Sequence, residues 1–156
     1  MKVRRLMLGC VALVIFVVGC ATVEPKPTLY ERIRLADQTG VPQYGRAGIA
    51  LIVDDFVVNV VADNRINARF KALKPAEVNQ LKANLADQIC QAAGGPCAYL
   101  GRDMKDAHKG MKITDAEWSA TVEAFNKALD KHKIPAEQKQ ELIGLLASMK
   151  GDIVGQ

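Results

Sequence analysis

Apolar residues recur at intervals of three and four over most of the chain, which is the spacing of one face of an α-helix. The pattern predicts one helix over about 75–93 and a second that carries apolar residues over 118–129. The second opens with a capping box at 114–117, in which a threonine hydroxyl and a glutamate carboxylate bind free amides of the first turn. A last helix opens with a proline, a favoured first residue, and covers 135–153.

The segment 49–61 is ambiguous when it is read locally. Its apolar residues recur at helical spacing, but they are mostly valine and isoleucine, which favour strands. We interpret it as a helix because the segments that follow are helical and the chain has no alternating apolar runs or hairpin dipeptides. The prediction is an all-α domain of four main helices, with loops at about 63–77, 94–113 and 131–134.

The first 19 residues differ in character from the rest. Basic residues precede an unbroken apolar run that ends at Gly19, which is the layout of a secretory signal peptide. The sequence Val17-Val18-Gly19-Cys20 resembles a bacterial lipobox, in which Cys20 receives a diacylglycerol and becomes the first residue after cleavage. An uncleaved membrane anchor is the alternative, although the run is shorter than the ~20 residues that a spanning helix needs.

These features divide the chain into a signal peptide (1–19), a lipidated cysteine with a short tether (20–28) and one folded domain (29–156). By resemblance to lipoproteins of Gram-negative bacteria, Ala21 after the cysteine indicates the outer membrane. We therefore expect a lipid-anchored protein of the cell envelope that faces the periplasm.

Removal of the signal peptide changes both the charge balance and the cysteine content. The chain has 21 Lys and Arg against 17 Asp and Glu, and Lys2, Arg4 and Arg5 leave with the signal. The mature chain is then almost neutral and lacks the basic excess with which nucleic-acid-binding proteins neutralise phosphates. Cys90 and Cys97 remain in the folded domain. In an oxidising compartment the glycine-rich turn between them permits a disulfide, and two buried thiols are the alternative.

The mature chain offers few residues for catalysis. It lacks a Cys-x-x-Cys pair, a phosphate-binding glycine loop and a Gly-x-Ser-x-Gly motif, and it has two histidines. His132 lies among charged residues at a predicted helix end, where we expect it to be solvated. His108 follows a glycine-rich loop and precedes the helix that carries the single tryptophan. One histidine is sufficient to hold a haem when apolar helices enclose the macrocycle.

Several short motifs follow one another in a particular order. They are Val53-Asp54-Asp55-Phe56, the stretch from Ala62 to Asn67 with Phe70, Gly94-Gly95-Pro96, Tyr99-Leu100-Gly101, Met104, and the stretch from His108 to Thr114. In this order they resemble the group I truncated haemoglobins of bacteria, protists and algae, and the resemblance covers roughly residues 29–155. It implies an all-α fold, the two-over-two helical sandwich of a truncated globin, which encloses a haem.

The resemblance also implies a cofactor and a set of residues that contact it. The cofactor is haem b, iron protoporphyrin IX, and His108 is its proximal iron ligand. Apolar side chains would line the macrocycle, and the matching positions are Phe70, Leu81, Leu85, Met104, Ile113 and Trp118. Leu146 is a further position of this kind, but we expect it to be an ordinary core residue.

The side of the haem that receives the gas departs from the family's pattern. The family usually has a tyrosine where this chain has Val57, and commonly a glutamine on the facing helix, where the matching positions are Leu81 and Leu85. A buried hydrogen bond to a polarised ligand contributes on the order of 1.5–3 kcal/mol, so we expect an apolar distal pocket that discriminates weakly between gases. A one-residue shift that turns Gln80 inward, or a Tyr44 that swings in, would each restore a polar group.

The resemblance implies a globin that reversibly binds dioxygen, nitric oxide or carbon monoxide, as a carrier or a gas sensor, with an unidentified reductase for its iron. A haem enzyme that removes nitric oxide or peroxide is one alternative, although the apolar distal set argues against nitric oxide dioxygenation. A haem-free helical module that serves in protein interaction is another.

Overall fold

The computed structural model describes residues 25–36, 40 and 42–156, so the predicted signal peptide and Cys20 lie outside the described residues. Within this part of the chain no helix is both long and apolar enough to cross a bilayer. The described elements, in chain order, are α1 (Leu29–Arg32), β1 (Arg34–Ala36), β2 (Pro42–Tyr44), α2 (Gly45–Ala62), a 3-10 turn (Asn67–Arg69), α3 (Pro75–Ala92), α4 (Met104–His108), α5 (Asp115–Lys131), α6 (Ala136–Ser148) and α7 (Lys150–Ile153).

The architecture is all-α, as predicted, apart from one short pair of strands. β1 and β2 pair in antiparallel fashion, with Arg34 opposite Tyr44 and Leu35 opposite Gln43. Strands of three residues are too short to show an alternating pattern, so the sequence predicts none here. The pair lies against the start of α2 and leads the chain into that helix.

α2 lies at the centre of the fold and packs against both α3 and α5. Ile49, Ile52, Val53 and Val60 are almost completely buried along it. A β-branched residue lowers helix propensity by less than about 0.7 kcal/mol. Burial of the same side chain contributes roughly 1.5–3 kcal/mol. Burial therefore outweighs the local strand preference, and the interpretation of this segment as a helix is confirmed.

α5 and α6 also pack against each other. α5 begins with the predicted capping box, since the Glu117 N–H donates to Thr114 Oγ1 at 3.2 Å and the Thr114 N–H donates to Glu117 Oε2 at 2.8 Å. The prediction of one helix from Pro135 to Ile153 is wrong in one respect, because the helix is interrupted at Met149. There the chain turns so that α7 packs against α4. This contact joins distant segments, so local periodicity cannot predict it.

α3 ends in a tight glycine turn. Gly94 has a φ of +82°, in the left-handed region that favours glycine. The Gly95 N–H donates to the Cys90 carbonyl at 2.8 Å, and a Cβ added at Gly95 would lie 2.8 Å from the same oxygen. Cys90 and Cys97 form a disulfide across this turn, with their Cα atoms 5.8 Å apart. The end of α3 is thus covalently tied to the loop that leads to α4.

Candidate functional site

His108 is the last residue of α4, a helix of five residues, and its side chain is half-buried. Asp103 caps this helix by accepting a hydrogen bond from the Asp106 N–H at 2.9 Å. The Nδ1 atom of His108 lies 2.7 Å from the Met104 carbonyl oxygen. Because a carbonyl only accepts, Nδ1 carries the proton and Nε2 carries the lone pair. His108 is therefore held in the tautomer that can bind a metal through Nε2.

The backbone that follows His108 is anchored by two distant segments. Arg69 Nη2 donates to the Met111 carbonyl at 2.7 Å. Ile113 forms a parallel β-bridge with Val154, and the Gly155 N–H donates to the Ile113 carbonyl at 2.9 Å. These contacts fix the loop on both of its sides, so the position of His108 does not depend on the five residues of α4 alone.

Arg69 also reaches the start of α5. Its Nη2 lies 3.3 Å from Glu117 Oε1, the carboxylate of the capping box. Hydrogen bonds from the Thr114 N–H and hydroxyl, and then the charge of Arg69, hold the pKa of the Glu117 carboxyl below its usual value. One guanidinium therefore joins the turn before Phe70, the loop after His108 and the first turn of α5.

A cavity of about 320 Å³ lies among α2, α3, α5 and α6. Side chains of α2, α3, α5 and α6 form its apolar wall, which includes Phe56, Leu85, Ile89, Phe125, Leu142 and Leu146. The rings of Phe56 and Phe125 meet edge to face, with centroids 5.5 Å apart. Met149 also lines the cavity and lies directly before α7, which packs against the helix of His108. His108 itself is not among the residues that line this cavity. A mostly apolar pocket between helices is a usual place for a cofactor in a helical protein.

Leu85, which is predicted to contact the haem, lines this cavity, and so does Leu146, which the sequence places in the ordinary core. Val57 is 5% exposed and belongs to the main core beside them. Leu81 is half-buried on α3, one helical turn before Leu85. The two aliphatic positions Val57 and Leu81 thus lie on the same helices as the cavity wall but are not among the side chains that line it.

The other predicted contacts are not among the residues that line the cavity. Met104 and Ile113 are half-buried and flank it in sequence, and the Met104 carbonyl is its hydrogen-bond partner. Trp118 is buried in the first turns of α5. Phe70 is half-buried and packs against a second small core of Val60, Ile66, Ala120 and Ala124.

The two residues that could supply a polar distal group, Tyr44 and Gln80, are exposed and do not line the cavity. Tyr44 is 57% exposed, and its ring lies beside Arg34, with the guanidinium carbon 5.7 Å from the ring centre. Gln80 is exposed on α3, where its Nε2 donates to Asn84 Oδ1 at 2.8 Å.

The structure instead brings other polar residues to the cavity. Gln91, which the helical pattern places on an outer face of α3, lies exposed at the cavity's edge, and Gln88 lines the cavity as a half-buried side chain. The available signal for Gln88 is its position three residues after Leu85, since residues at that spacing share a helix face. Tyr99 also lines the cavity; burial raises the pKa of its hydroxyl, which donates to the Arg102 carbonyl at 2.6 Å.

The second histidine has a structural role. The expectation that His132 is solvated is wrong, because its side chain is 13% exposed and its Nε2 lies 2.8 Å from Asp55 Oδ2. Lys131 Nζ donates to the other carboxylate oxygen at 2.6 Å. Within the described residues, no cluster of three or more His, Cys, Asp or Glu side chains is arranged to hold a metal ion.

Comparison with known proteins adds a family match. Residues 43–154 match the family described as bacterial-like globin. The chain is similar to the group 1 truncated hemoglobin GlbN of Mycolicibacterium paratuberculosis, with 28% identity over 109 residues that cover 70% of this chain and 78% of the relative. It is also similar to a group 1 truncated hemoglobin of Tetrahymena thermophila, with 24% identity over 131 residues, or 84% and 98% of the two chains.

Solved structures share the fold. The truncated hemoglobin of Tetrahymena pyriformis in its Fe(III) form superposes with a TM-score of 0.69 at 23% identity, over 83% of this chain and all (100%) of the other. The 2/2 hemoglobin of Synechococcus sp. PCC 7002, solved with covalently attached heme, superposes with a TM-score of 0.68 at 24% identity, over 82% and 98% of the two chains.

Proposed function

The chain belongs to the bacterial-like globin family, whose members bind haem, and from this we propose that it holds haem b through His108 and binds diatomic gases reversibly. The gases are dioxygen, nitric oxide and carbon monoxide. Haem supplies an iron that takes one histidine ligand and leaves a position for a small gas. The residues of this chain provide the ligand, its orientation and an apolar enclosure.

The observation that carries the proposal is the hydrogen bond between His108 Nδ1 and the Met104 carbonyl. It leaves the Nε2 lone pair available to an iron and fixes the plane of the ring. A hydrogen bond at the outer nitrogen of a metal-binding histidine also raises the basicity of the ligand. Met104, itself a predicted haem contact, therefore acts on the iron ligand through its backbone oxygen.

The apolar wall of the cavity supports the same proposal. Phe56, Leu85, Phe125 and Leu146 present hydrocarbon surfaces from four different helices. Such surfaces would exclude water from the macrocycle and so slow the oxidation of the iron by dioxygen. We propose that Val57, Leu81 and Leu85 give the gas ligand aliphatic neighbours, in place of a tyrosine hydroxyl, and that dioxygen is consequently held weakly.

We also propose that the protein is a lipoprotein of the cell envelope, anchored through Cys20. The support is the N-terminal segment, in which basic residues precede an apolar run that ends in a lipobox-like sequence. A globin at this place needs an electron donor to keep its iron reduced, and we propose a reductase partner for that task. Expression with labelled palmitate tests the anchor: label should enter the native chain and be absent from Cys20→Ser. Label in both variants would refute lipidation at Cys20.

Absorption spectroscopy tests the haem proposal. The purified protein is measured in the ferric form and after dithionite reduction, with and without carbon monoxide, beside His108→Ala. We expect a haem band that shifts with carbon monoxide in the native protein and is lost or strongly altered in the variant. His132→Ala serves as the matched control, because His132 is bonded to Asp55 and should leave the spectrum unchanged. No haem uptake even with added haemin would favour the haem-free interaction module.

A further inference from the structure

We propose that the surface formed by Leu100, Arg102, Lys105 and Lys109 docks the domain on a bilayer of anionic phospholipid. These four residues are called the docking face below. The inference rests on the proposed lipid anchor at Cys20, and it does not depend on haem. The docking face runs from the loop that follows the disulfide into α4.

Leu100 is an apolar side chain that is held in water. It is 92% exposed, although the turn around it is fixed. The Tyr99 N–H donates to Gln91 Oε1 at 2.7 Å, and the Tyr99 hydroxyl donates to the Arg102 carbonyl at 2.6 Å. Tyr99 lines the cavity, so its neighbour Leu100 points away from the domain. A single exposed leucine is ordinary on a protein surface, and the charges beside it make this one informative.

The basic side chains of the docking face are free to bind an anion. Lys105 and Lys109 are exposed and four residues apart, so they share one side of α4, and Arg102 lies shortly before the helix. Among the described residues neither lysine forms an ion pair. Lysines elsewhere on the surface do form ion pairs, and they include Lys82, Lys131, Lys139 and Lys150. Basic side chains around an exposed apolar residue are typical of surfaces that bind anionic bilayers.

Two carboxylates lie near the docking face without neutralising it. Asp103 accepts a hydrogen bond from the Asp106 N–H and is occupied as the cap of α4. Asp106 follows Lys105 by one residue, so its side chain projects about 100° away around the helix. Met111, which is 38% exposed, follows Lys109 and adds a second apolar side chain at the far end of α4. The side of α4 that carries the lysines therefore stays basic.

The tether brings this part of the domain close to the bilayer. Eight residues separate Cys20 from Leu29, the first residue of α1. A chain of that length reaches at most about 28 Å when it is fully extended. Its last residue, Thr28, lies against the turn that ends α3, because a Cβ added at Gly94 would lie 3.1 Å from Thr28 Cβ. The loop that carries Leu100 leaves from the same turn, so the point of attachment and the docking face are neighbours on the surface.

A fluorophore at position 100 tests the proposal in the lipidated chain. Leu100→Cys provides an accessible thiol, because Cys20 carries lipid and Cys90 and Cys97 are bonded to each other. The chain is labelled with a polarity-sensitive dye and reconstituted in vesicles of phosphatidylcholine, with or without phosphatidylglycerol. We expect nitroxide-labelled lipid to quench the dye only when phosphatidylglycerol is present, and high salt to abolish the quenching. Val58→Cys is the matched control: Val58 is exposed on α2, and its dye should stay in water on both vesicles.

Two pairs of lysine variants separate the docking face from overall charge. Lys105→Gln/Lys109→Gln should weaken docking of the labelled chain about 25-fold, since each lysine near an anionic surface contributes about five-fold. Lys82→Gln/Lys139→Gln removes the same charge from lysines that form ion pairs elsewhere, and it should leave the docked fraction nearly unchanged. Equal losses in the two double variants would assign the binding to net charge and overturn the proposal.

Hydrogen exchange in the unlabelled, lipidated chain tests Leu100 itself. The amides of residues 98–112 should exchange more slowly on vesicles with phosphatidylglycerol than on phosphatidylcholine alone. Leu100→Ser should remove most of this protection, and Val58→Ser should retain it. Full protection in Leu100→Ser would overturn the role of the leucine in the docking face.

Other occupants of this surface would give different results. Protection that appears only when chains are crowded on a vesicle would assign the surface to a second copy of the chain. Protection by polyglutamate, with none by vesicles, would assign it to an acidic protein. Either result, or a dye at position 100 that stays in water on all vesicles, would overturn the proposal. A chain without lipid on Cys20 would overturn the proposed anchor and this proposal with it, whereas the absorption spectrum tests the haem function separately.

Discussion

Asp55 of α2 and His132, the residue that ends α5, are joined by a hydrogen bond of 2.8 Å between Oδ2 and Nε2. Lys131 bonds to the other oxygen of the same carboxylate. Burial alone would raise the pKa of Asp55, but the hydrogen bonds from Lys131 and His132 hold it below its usual value. The carboxylate thus ties the two central helices together at the end of α5.

Asp55→Asn should lower the free energy of unfolding by about 1–2 kcal/mol at pH 7, because it removes a charged acceptor from two donors. A carboxylate with a depressed pKa stabilises the fold above its unfolded pKa, near 3.8, and this contribution is lost as the pH falls through the lower folded value. Urea unfolding of the native protein and the variant at pH 7 and at pH 3 measures both effects. Asp54→Asn, which breaks an exposed ion pair with Lys82, is the control and should cost less than about 1 kcal/mol.

Arg69→Met should speed the loss of haem several-fold and shift the iron–histidine stretching frequency of the reduced protein. The variant removes the donor to the Met111 carbonyl, so the loop after His108 gains freedom. Resonance Raman spectroscopy and transfer of haem to an excess of an acceptor globin measure the two quantities. Arg65→Met is the control, because Arg65 pairs with Asp63 and Glu123 and does not bond to this loop. Identical haem loss from both variants would contradict a positioning role for Arg69.

Val57→Tyr should slow both the release of dioxygen and the oxidation of the iron in air, because it adds a hydroxyl beside the gas ligand. The new ring enters a packed core, so the variant should also lose about 1–3 kcal/mol of stability. Stopped-flow dissociation and the decay of the oxygenated spectrum measure the rates. Val58→Tyr is the control, since Val58 is 60% exposed on the next position of α2. Unchanged rates in Val57→Tyr would mean that this side chain does not face the ligand.

Reduction of the disulfide between Cys90 and Cys97 should lower the stability by about 2 kcal/mol, because the bond closes a short loop. Thermal unfolding with and without a reductant measures the change. The double variant Cys90→Ala/Cys97→Ala should unfold at the same temperature in both conditions. A native protein whose unfolding temperature is also insensitive to the reductant would show that the bond is not formed in solution.

The sequence predicted the features that depend on local signals. The capping box at Thr114 and Glu117 and the glycine turn at Gly94 are properties of a few adjacent residues, and the structure contains both. The local composition of α2 favours a strand, so the prediction of a helix there depended on the helices predicted around it.

The features that the sequence did not predict depend on contacts between distant residues. The partners of His132 and Ile113 lie far along the chain, at Asp55 and Val154. Gln88 has an ordinary helical neighbourhood, and the partner of its amide, Met149, lies 61 residues away between α6 and α7. Residue spacing along the chain cannot predict these contacts, because they arise from the packing of one element on another.

The bridge between Ile113 and Val154 also sets an order of events during biosynthesis. The loop after His108 is synthesised well before the segment that anchors it, so a growing chain presents the histidine while its support is still missing. α3, α4 and α5 can form in sequence, but the cradle around the imidazole closes only after α7 has joined. On the proposed function, haem would therefore be captured by the finished polypeptide. If the chain is exported unfolded, as the proposed signal peptide implies, this capture would take place on the far side of the membrane that it crosses.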